Sequence, residues 1–146
     1  MKIKYEQSAG GVVFKNEKGK ILTLIVKHSK EKHWSFPKGH IGDKDKDEDI
    51  YTAALREVQE EGGIKAKIIE FVPKTSKYQF KHNDYLIKKT VFYFPMEYVS
   101  GDTKNHDSEI EQAEFLNYDE VLKKLTYEND KNIFIAFYKK YKNRKS

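Results

Sequence analysis

The stretch GDKDKDEDIYTAALREVQEEGGI, residues 42–64, joins an acid-rich segment to an apolar run and closes on two glycines. A helix is predicted to begin near Asp47 or Asp49, because either side chain can cap its first turn. It is predicted to end at Gly62 and Gly63, since glycine is the residue most often found where a helix stops. The stretch therefore predicts one helix between two loops.

Three glutamates fall on one face of this predicted helix. Glu57, Glu60 and Glu61 are separated by three and four positions, which brings their side chains together. Carboxylates so close repel one another unless a cation lies among them, and Mg²⁺ prefers oxygen ligands. Arg56 is placed to hold one of them through a bidentate contact. From these residues alone, both a metal site and a solvated helix face remain open.

The composition fits one folded domain, which we expect to cover residues 1–146. The chain is 38% hydrophobic and 14% aromatic, and it contains no cysteine, which excludes disulfides, thiolate catalysis and cysteine-bound zinc. It has no apolar run of membrane-spanning length, and MKIKYEQSAGG lacks the apolar centre of a secretory signal. A cytoplasmic protein is therefore expected, and the net charge of +5 favours polyanionic partners such as nucleotides or RNA.

The order of the remaining segments predicts a mixed α/β fold, with a sheet covered by helices. Segments rich in β-branched and aromatic residues are expected to be strands, and HWSFPKGH, residues 33–40, is expected to be a loop. The last segment, DKNIFIAFYKKY, has helical spacing of its apolar residues. The predicted strands cover residues 7–16, 19–29, 64–75, 77–82 and 86–99, a strand leading into a helix covers 113–121, and a final helix covers 130–141.

The spacing of residues 48–64 resembles the Nudix box, Gx5Ex7REUxEExGU, where U is aliphatic. Glu48 is followed by seven residues and then by REVQEEGGI, which meets every fixed position. Gly42 also satisfies the count, but FPKGH resembles the family segment in which Gly39 is the box glycine. We prefer Gly39, which leaves a three-residue insertion within 43–47. The alternating aspartates there do not fit a calcium-binding loop, and we expect a solvated loop.

The resemblance implies a Nudix fold, a mixed sheet sandwiched between helices, and cleavage of a nucleoside diphosphate linked to another group with bound Mg²⁺ or Mn²⁺. Arg56 would orient a carboxylate and Glu48 would support the site. A downstream glutamate is often recruited in relatives, and here Glu109 is the first candidate for a catalytic role. The implied metal-binding residues are Gly39 through its carbonyl, Glu57, Glu60, Glu61 and, further along the chain, Glu111.

One branch of the family is favoured. KHWSFPKGH is similar to the HWxxPKGH segment of Nudix diadenosine tetraphosphate hydrolases, in which Lys38 and His40 would face phosphates. KYQF and KKTVFYF also look like this branch, where an aromatic side chain stacks on adenine and a lysine contacts phosphate. The stacking candidates are Tyr78, Phe80 and Tyr85, and the phosphate candidate is Lys89, with Lys88 as the alternative.

The leading expectation is a Mg²⁺-dependent pyrophosphohydrolase of a dinucleoside polyphosphate, with diadenosine tetraphosphate first. Nucleoside triphosphates, ADP-ribose and the 5′ end of RNA are the alternatives within the same class. A non-catalytic Nudix-fold module that senses nucleotides is the alternative from another class. The sequence keeps every carboxylate of the box, which favours the enzyme.

Overall fold

A computed structural model describes residues 1–42 and 46–145. Its strands form one eight-stranded mixed sheet with helices packed on both faces, so the predicted fold class is confirmed. The acidic loop residues Asp43 and Asp45, and with them part of the predicted insertion, lie outside the described residues. The helices are α1 (Ile50–Gly62), α2 (Tyr118–Lys124) and α3 (Glu128–Lys145). The strands are β1 (Lys2–Glu17), β2 (Lys20–His28), β3 (Trp34–Ser35), β4 (Lys38–His40), β5 (Ile64–Ile68), β6 (Lys74–His82), β7 (Tyr85–Gly101) and β8 (Ile110–Leu116).

Two sequence-based boundaries are wrong. The predicted loop 33–40 contains β3 and β4, because β2 and β1 supply pairing partners that are distant in the sequence. The predicted strand 64–75 stops at Ile68 and pairing resumes at Lys74. Pro73 lies in this break and has no N–H to donate to a neighbouring strand.

β1 lies at the centre of the sheet and pairs in parallel with β7 over residues 2–14. Its middle residues, Ser8–Gly10, pair with β4, and its last residues pair with β2. β7 also has two further partners: its first half pairs antiparallel with β6 and its second half pairs antiparallel with β5. The segment that carries Gly39 and the hairpin that carries Tyr78 are therefore both aligned by the same central pair of strands.

The two faces of the sheet bury separate apolar clusters. On one face, α1 packs Ala53, Ala54 and Val58 against Val13 and Phe94 and their neighbours. On the other, α2 and α3 cover a cluster that is rich in aromatic rings and includes Phe14, Phe36, Tyr93, Phe134 and Tyr141. In the described part of the chain, no helix combines the length and the apolar character that a membrane span requires.

Both ends of α1 are fixed by local chemistry. The Asp49 carboxylate accepts a hydrogen bond from the Thr52 N–H at 2.7 Å, which confirms the later of the two predicted starts. Gly63 ends the helix with a left-handed φ of 77°, as predicted, and a Cβ there would lie 2.7 Å from the backbone nitrogen of His106. The end of α1 is thus packed directly against the loop that precedes β8.

Candidate active site

Arg56 lies at the centre of a cluster of carboxylates, which we call the carboxylate cluster: Glu48, Glu57, Glu60 and Glu61. Its Nε donates to Glu48 Oε2 at 2.7 Å, and its Nη2 donates to Glu48 Oε1 at 2.9 Å. Its Nη1 donates to Glu57 at 3.0 Å and to Glu60 at 3.1 Å. The bidentate contact lowers the pKa of Glu48 and raises that of Arg56. Arg56 therefore fixes three carboxylates in one orientation.

The two candidate box glycines have different contacts. A Cβ on Gly39 would lie 2.1 Å from Cδ of Glu57, so only glycine lets β4 approach this carboxylate so closely. Gly42 donates its N–H to Glu48 Oε1 at 3.1 Å. Gly39 thus lies against the buried Glu57 of the carboxylate cluster, whereas Gly42 contacts the glutamate that supports Arg56.

Glu61 is 4% exposed, and its Oε1 accepts a hydrogen bond from the Lys38 N–H at 3.1 Å. The pKa of Glu61 is raised to about 8, chiefly by burial, with smaller contributions from the charges of Glu57 and Asp107 and with Lys38 acting in the opposite direction. A bound divalent cation would reverse the effect, because it favours the ionised form of the carboxylates around it.

The loop before β8 supplies a carboxylate that the sequence did not single out. Asp107 donates its N–H to the Glu60 carbonyl at 2.8 Å, and burial together with the charge of Glu60 raises its pKa. Glu109 donates its N–H to Asp107 Oδ1 at 3.1 Å. Glu111 instead forms ion pairs with Lys27, at 3.3 Å, and with Lys32. Asp107 is thus the downstream acid whose charge acts on Glu60 and Glu61.

The chemistry of the carboxylate cluster fits a hard divalent cation. Its donors are carboxylate oxygens, with the Gly39 backbone against Glu57, and Mg²⁺ and Mn²⁺ prefer oxygen ligands. Arg56 places one positive charge among Glu48, Glu57 and Glu60. Glu57, Glu60, Glu61 and the Gly39 carbonyl are therefore the residues that would hold the metal.

A second group of metal-ligand types lies elsewhere. Among the described residues, the ligand atoms of His28, Glu31 and His33 lie within 4.8 Å of one another. The two imidazoles stack, with ring centroids 4.2 Å apart. Burial lowers the pKa of His28 to about 3 and also lowers that of His33, and the charges of Lys38 and Lys89 contribute to both shifts.

Two of the predicted substrate residues, Tyr78 and Lys89, lie on β6 and β7, where the start of α3 packs against β6. Tyr78 pairs with Lys89 in the register of β6 and β7, so both side chains emerge on the same face of the sheet. Burial and the charge of Lys38 lower the pKa of Lys89 to about 8. The Tyr78 ring lies nearly parallel to that of Tyr127, at an interplanar angle of 9° and a centroid distance of 6.4 Å. We call this pair of rings the base slot.

Three other predicted substrate residues, Phe80, Tyr85 and His40, have different surroundings. Phe80 stacks on Tyr78 with centroids 6.3 Å apart, and Tyr85 lies at the turn of the same hairpin. His40 pairs with Glu6 at 3.5 Å, and its carbonyl accepts a hydrogen bond from Arg56. Tyr127 was missed from the sequence, because nothing in the adjacent residues indicates that α3 begins beside β6.

The fold and the site together define a class of protein: a mixed α/β sheet that presents a glutamate-bearing helix together with a group of basic and aromatic side chains. The family model for the NUDIX domain matches residues 4–137, and the chain therefore belongs to the NUDIX family. Members of this family are hydrolases that act on nucleotide substrates and generally use divalent metal ions.

Three similar proteins illustrate the relationship. A putative mutator protein MutT4 from Mycobacterium tuberculosis is 27% identical over 91% of this chain and 54% of its own length. The asymmetrical bis(5′-nucleosyl)-tetraphosphatase of Caenorhabditis elegans is 41% identical over 40% of this chain and 41% of its own length. A crystal structure of a C. elegans Ap4A hydrolase binary complex superposes with a TM-score of 0.81 at 26% identity, covering 94% of this chain and 98% of that one. The chain spans about half, or less, of the length of the curated relatives that it matches.

Proposed function

We propose that this chain is a Mg²⁺- or Mn²⁺-dependent hydrolase of dinucleoside polyphosphates, with diadenosine tetraphosphate (Ap4A) as its leading substrate. The observation that carries the proposal is the base slot, because its two nearly parallel tyrosine rings lie beside Lys89 on the same side of the sheet. The likeness to the C. elegans Ap4A hydrolase supports the same substrate.

The base slot is suited to a flat aromatic ring. The ring centroids of Tyr78 and Tyr127 are 6.4 Å apart, which lies within the range of about 4.5–7 Å for two aromatic rings packed against each other, so the rings must move apart to admit a base between them. Stacking of this kind contributes about 1–3 kcal/mol for each base and accepts any base with a π face. The slot therefore explains binding of a nucleoside without by itself choosing among nucleosides.

Positive charge leads from the base slot towards the carboxylate cluster. Lys89 pairs with Tyr78 across the strands, and Lys38 acts electrostatically on both Lys89 and Glu61. Two lysine ammonium groups in this order are suited to the phosphate oxygens of a polyphosphate chain. A substrate with its base in the slot would therefore extend its phosphates past Lys89 and Lys38 to the carboxylates.

The reaction needs water to attack phosphorus while the bridging anhydride oxygen leaves with its nucleotide. A bound divalent cation supplies neutralisation of charge on the phosphate oxygens and a more acidic water. Glu57 is the leading candidate for the base that accepts the proton, since Arg56 and the Gly39 backbone fix its carboxylate. Glu109 remains the downstream candidate from the sequence, and Asp107 joins it because its charge acts on Glu61.

A panel of substrates tests the proposal directly. The chain, with Mg²⁺, is assayed on Ap4A, a nucleoside triphosphate, ADP-ribose and 5′-triphosphorylated RNA, and kcat/KM and products are measured for each. We expect the highest kcat/KM for Ap4A, with products that show which anhydride bond was broken. A clear preference for ADP-ribose, the triphosphate or RNA would overturn the substrate and leave the catalytic chemistry standing.

A further inference from the structure

Asp130 is a buried acid that the catalytic chemistry above does not use. It lies in the first turn of α3 and is only 4% exposed, whereas an aspartate in this position is commonly solvated. The neighbouring Asn129 donates from Nδ2 to the Lys77 carbonyl at 3.2 Å, which fixes the start of α3 on β6. The carboxylate is therefore enclosed because the helix start is fixed against the strand that carries Tyr78.

The surroundings of Asp130 are those of the base slot. Asp130 follows Tyr127 by three positions, one helical turn along. Its negative charge contributes to the raised pKa values of Tyr78, Tyr127 and Tyr93. Since the titrating atom of each tyrosine is its hydroxyl, the hydroxyl ends of both slot rings are within electrostatic reach of this carboxylate. Together with the hydrogen bond from Asn129 to the residue before Tyr78, this places Asp130 near the hydroxyl ends of both slot rings.

The cost of enclosing this carboxylate is only partly offset in the protein. Burial raises the pKa of Asp130 to about 6, and among the described residues Lys38 is the group whose charge opposes that rise. Buried polar groups are normally satisfied by hydrogen bonds, and an acceptor-only carboxylate requires donors. A ligand that brings an N–H group close to the hydroxyl ends of the two slot rings supplies such a donor.

We propose that Asp130 determines base specificity by accepting a hydrogen bond from the exocyclic amino group of the base held between Tyr78 and Tyr127. The inference rests on the proposed function and adds to it a choice among bases that stacking does not supply. Adenine carries an amino group at the position where hypoxanthine carries a carbonyl oxygen. That oxygen is an acceptor facing an acceptor, so hypoxanthine loses the hydrogen bond that the exocyclic amino group makes, and we expect it to be used less well than adenine.

The test compares Ap4A with its hypoxanthine counterpart, diinosine tetraphosphate, in the wild type and in Asp130→Asn. We expect the wild type to favour Ap4A by about tenfold to hundredfold in kcat/KM, as for loss of one hydrogen bond to a charged group. Asp130→Asn can turn its amide to offer either a donor or an acceptor, so we expect the preference to fall to within a few-fold. Glu128→Gln removes an exposed acid from the same helical turn and should keep the wild-type ratio.

The outcomes separate this inference from the function on which it rests. Equal turnover of the two substrates by the wild type, or an unchanged ratio in a folded Asp130→Asn protein, would overturn the specificity role alone. Absence of turnover on both substrates by the wild type would overturn the proposed function and the inference with it. The wild-type ratio needs no variant, so the inference stays testable even if Asp130→Asn does not fold.

Discussion

The carboxylate cluster and the base slot are built in opposite ways. The acids and the arginine of the carboxylate cluster come from residues 48–61, and hydrogen bonds of 2.7–3.1 Å to Arg56 hold three of its four acids. The base slot instead combines Tyr78 with Tyr127, from β6 and from the residue before α3, and depends on strand register and helix docking. The proposed metal-binding and catalytic residues thus come from one contiguous stretch, whereas the residues proposed to bind the base come from segments that are distant in the sequence.

Removal of a cluster carboxylate should have the largest effect. We expect Glu57→Gln to lower kcat on Ap4A by about 10²–10⁴-fold, because it removes a buried acid proposed to hold the metal and accept a proton. The same change should abolish the rise in Tm that Mg²⁺ gives the wild type, measured by thermal unfolding.

Glu111→Gln is the matched control, since Glu111 pairs with Lys27 and Lys32 at the surface. It should keep near-wild-type kcat, with a change in unfolding free energy below about 1 kcal/mol. Equal turnover by the wild type and Glu57→Gln would show that Glu57 takes no part in catalysis, whereas nucleotide binding with no turnover by either protein would show a non-catalytic module.

Gly39→Ala tests the contact between β4 and α1. The added Cβ would lie 2.1 Å from Glu57 Cδ, so the carboxylate must move, and we expect about a hundredfold loss of kcat/KM on Ap4A. Gly19→Ala is the control, because no atom lies within 4 Å of its added Cβ. Its left-handed φ of 83° should cost about 1 kcal/mol of stability and leave kcat/KM unchanged. Comparable activities of the two variants would contradict the geometry assigned to Glu57.

The base slot should respond in KM rather than in kcat. We expect Tyr78→Ala or Tyr127→Ala to raise KM for Ap4A by about tenfold, because each removes one stacking partner of the base. Tyr5→Ala serves as the control: Tyr5 pairs with Lys88 in the sheet and so emerges on the opposite face. An unaltered KM in both slot variants would place the base elsewhere.

Lys89 gives the smallest expected effect, and it depends on pH. With its pKa lowered to about 8, Lys89 is charged at pH 7 and loses its charge as the pH rises through about 8. KM for Ap4A should therefore rise a few-fold between pH 7 and pH 9. Lys89→Arg should remove this dependence, because arginine stays charged, whereas Lys88→Arg on the other face should retain it.

The same group makes a signed contribution to stability. Between pH 8 and about 10.5 the unfolded chain keeps the proton on Lys89 that the folded chain has lost, so this contribution to the free energy of unfolding rises with pH. Its buried charge destabilises the fold below that window. Urea unfolding at pH 7 and pH 9 measures the effect. An equal change in the free energy of unfolding between these pH values for the wild type and Lys89→Arg would contradict a lowered pKa of Lys89.

What could be predicted from the sequence differs in the same way between the carboxylate cluster and the base slot. The bounds of α1 were predictable because Asp49 and Gly63 act through local hydrogen bonds and backbone angles. The strands β3 and β4 were not, because a two- or three-residue strand exists only when a distant partner pairs with it. Asp107 and Tyr127 were missed for a similar reason. Their importance arises where the β8 loop meets the end of α1 and where α3 meets β6.

The sixteen residues of β1 have a consequence for folding. One strand sets the alignment of β4, which brings Gly39 to Glu57, and of β7, which carries Lys89 and pairs with the hairpin strand bearing Tyr78. A shift of β1 by one position would reverse the side-chain faces of the whole strand and misalign both partners. Misregistered chains should therefore lose nucleotide binding and turnover together. During refolding, we expect nucleotide binding and turnover to return in the same kinetic phase.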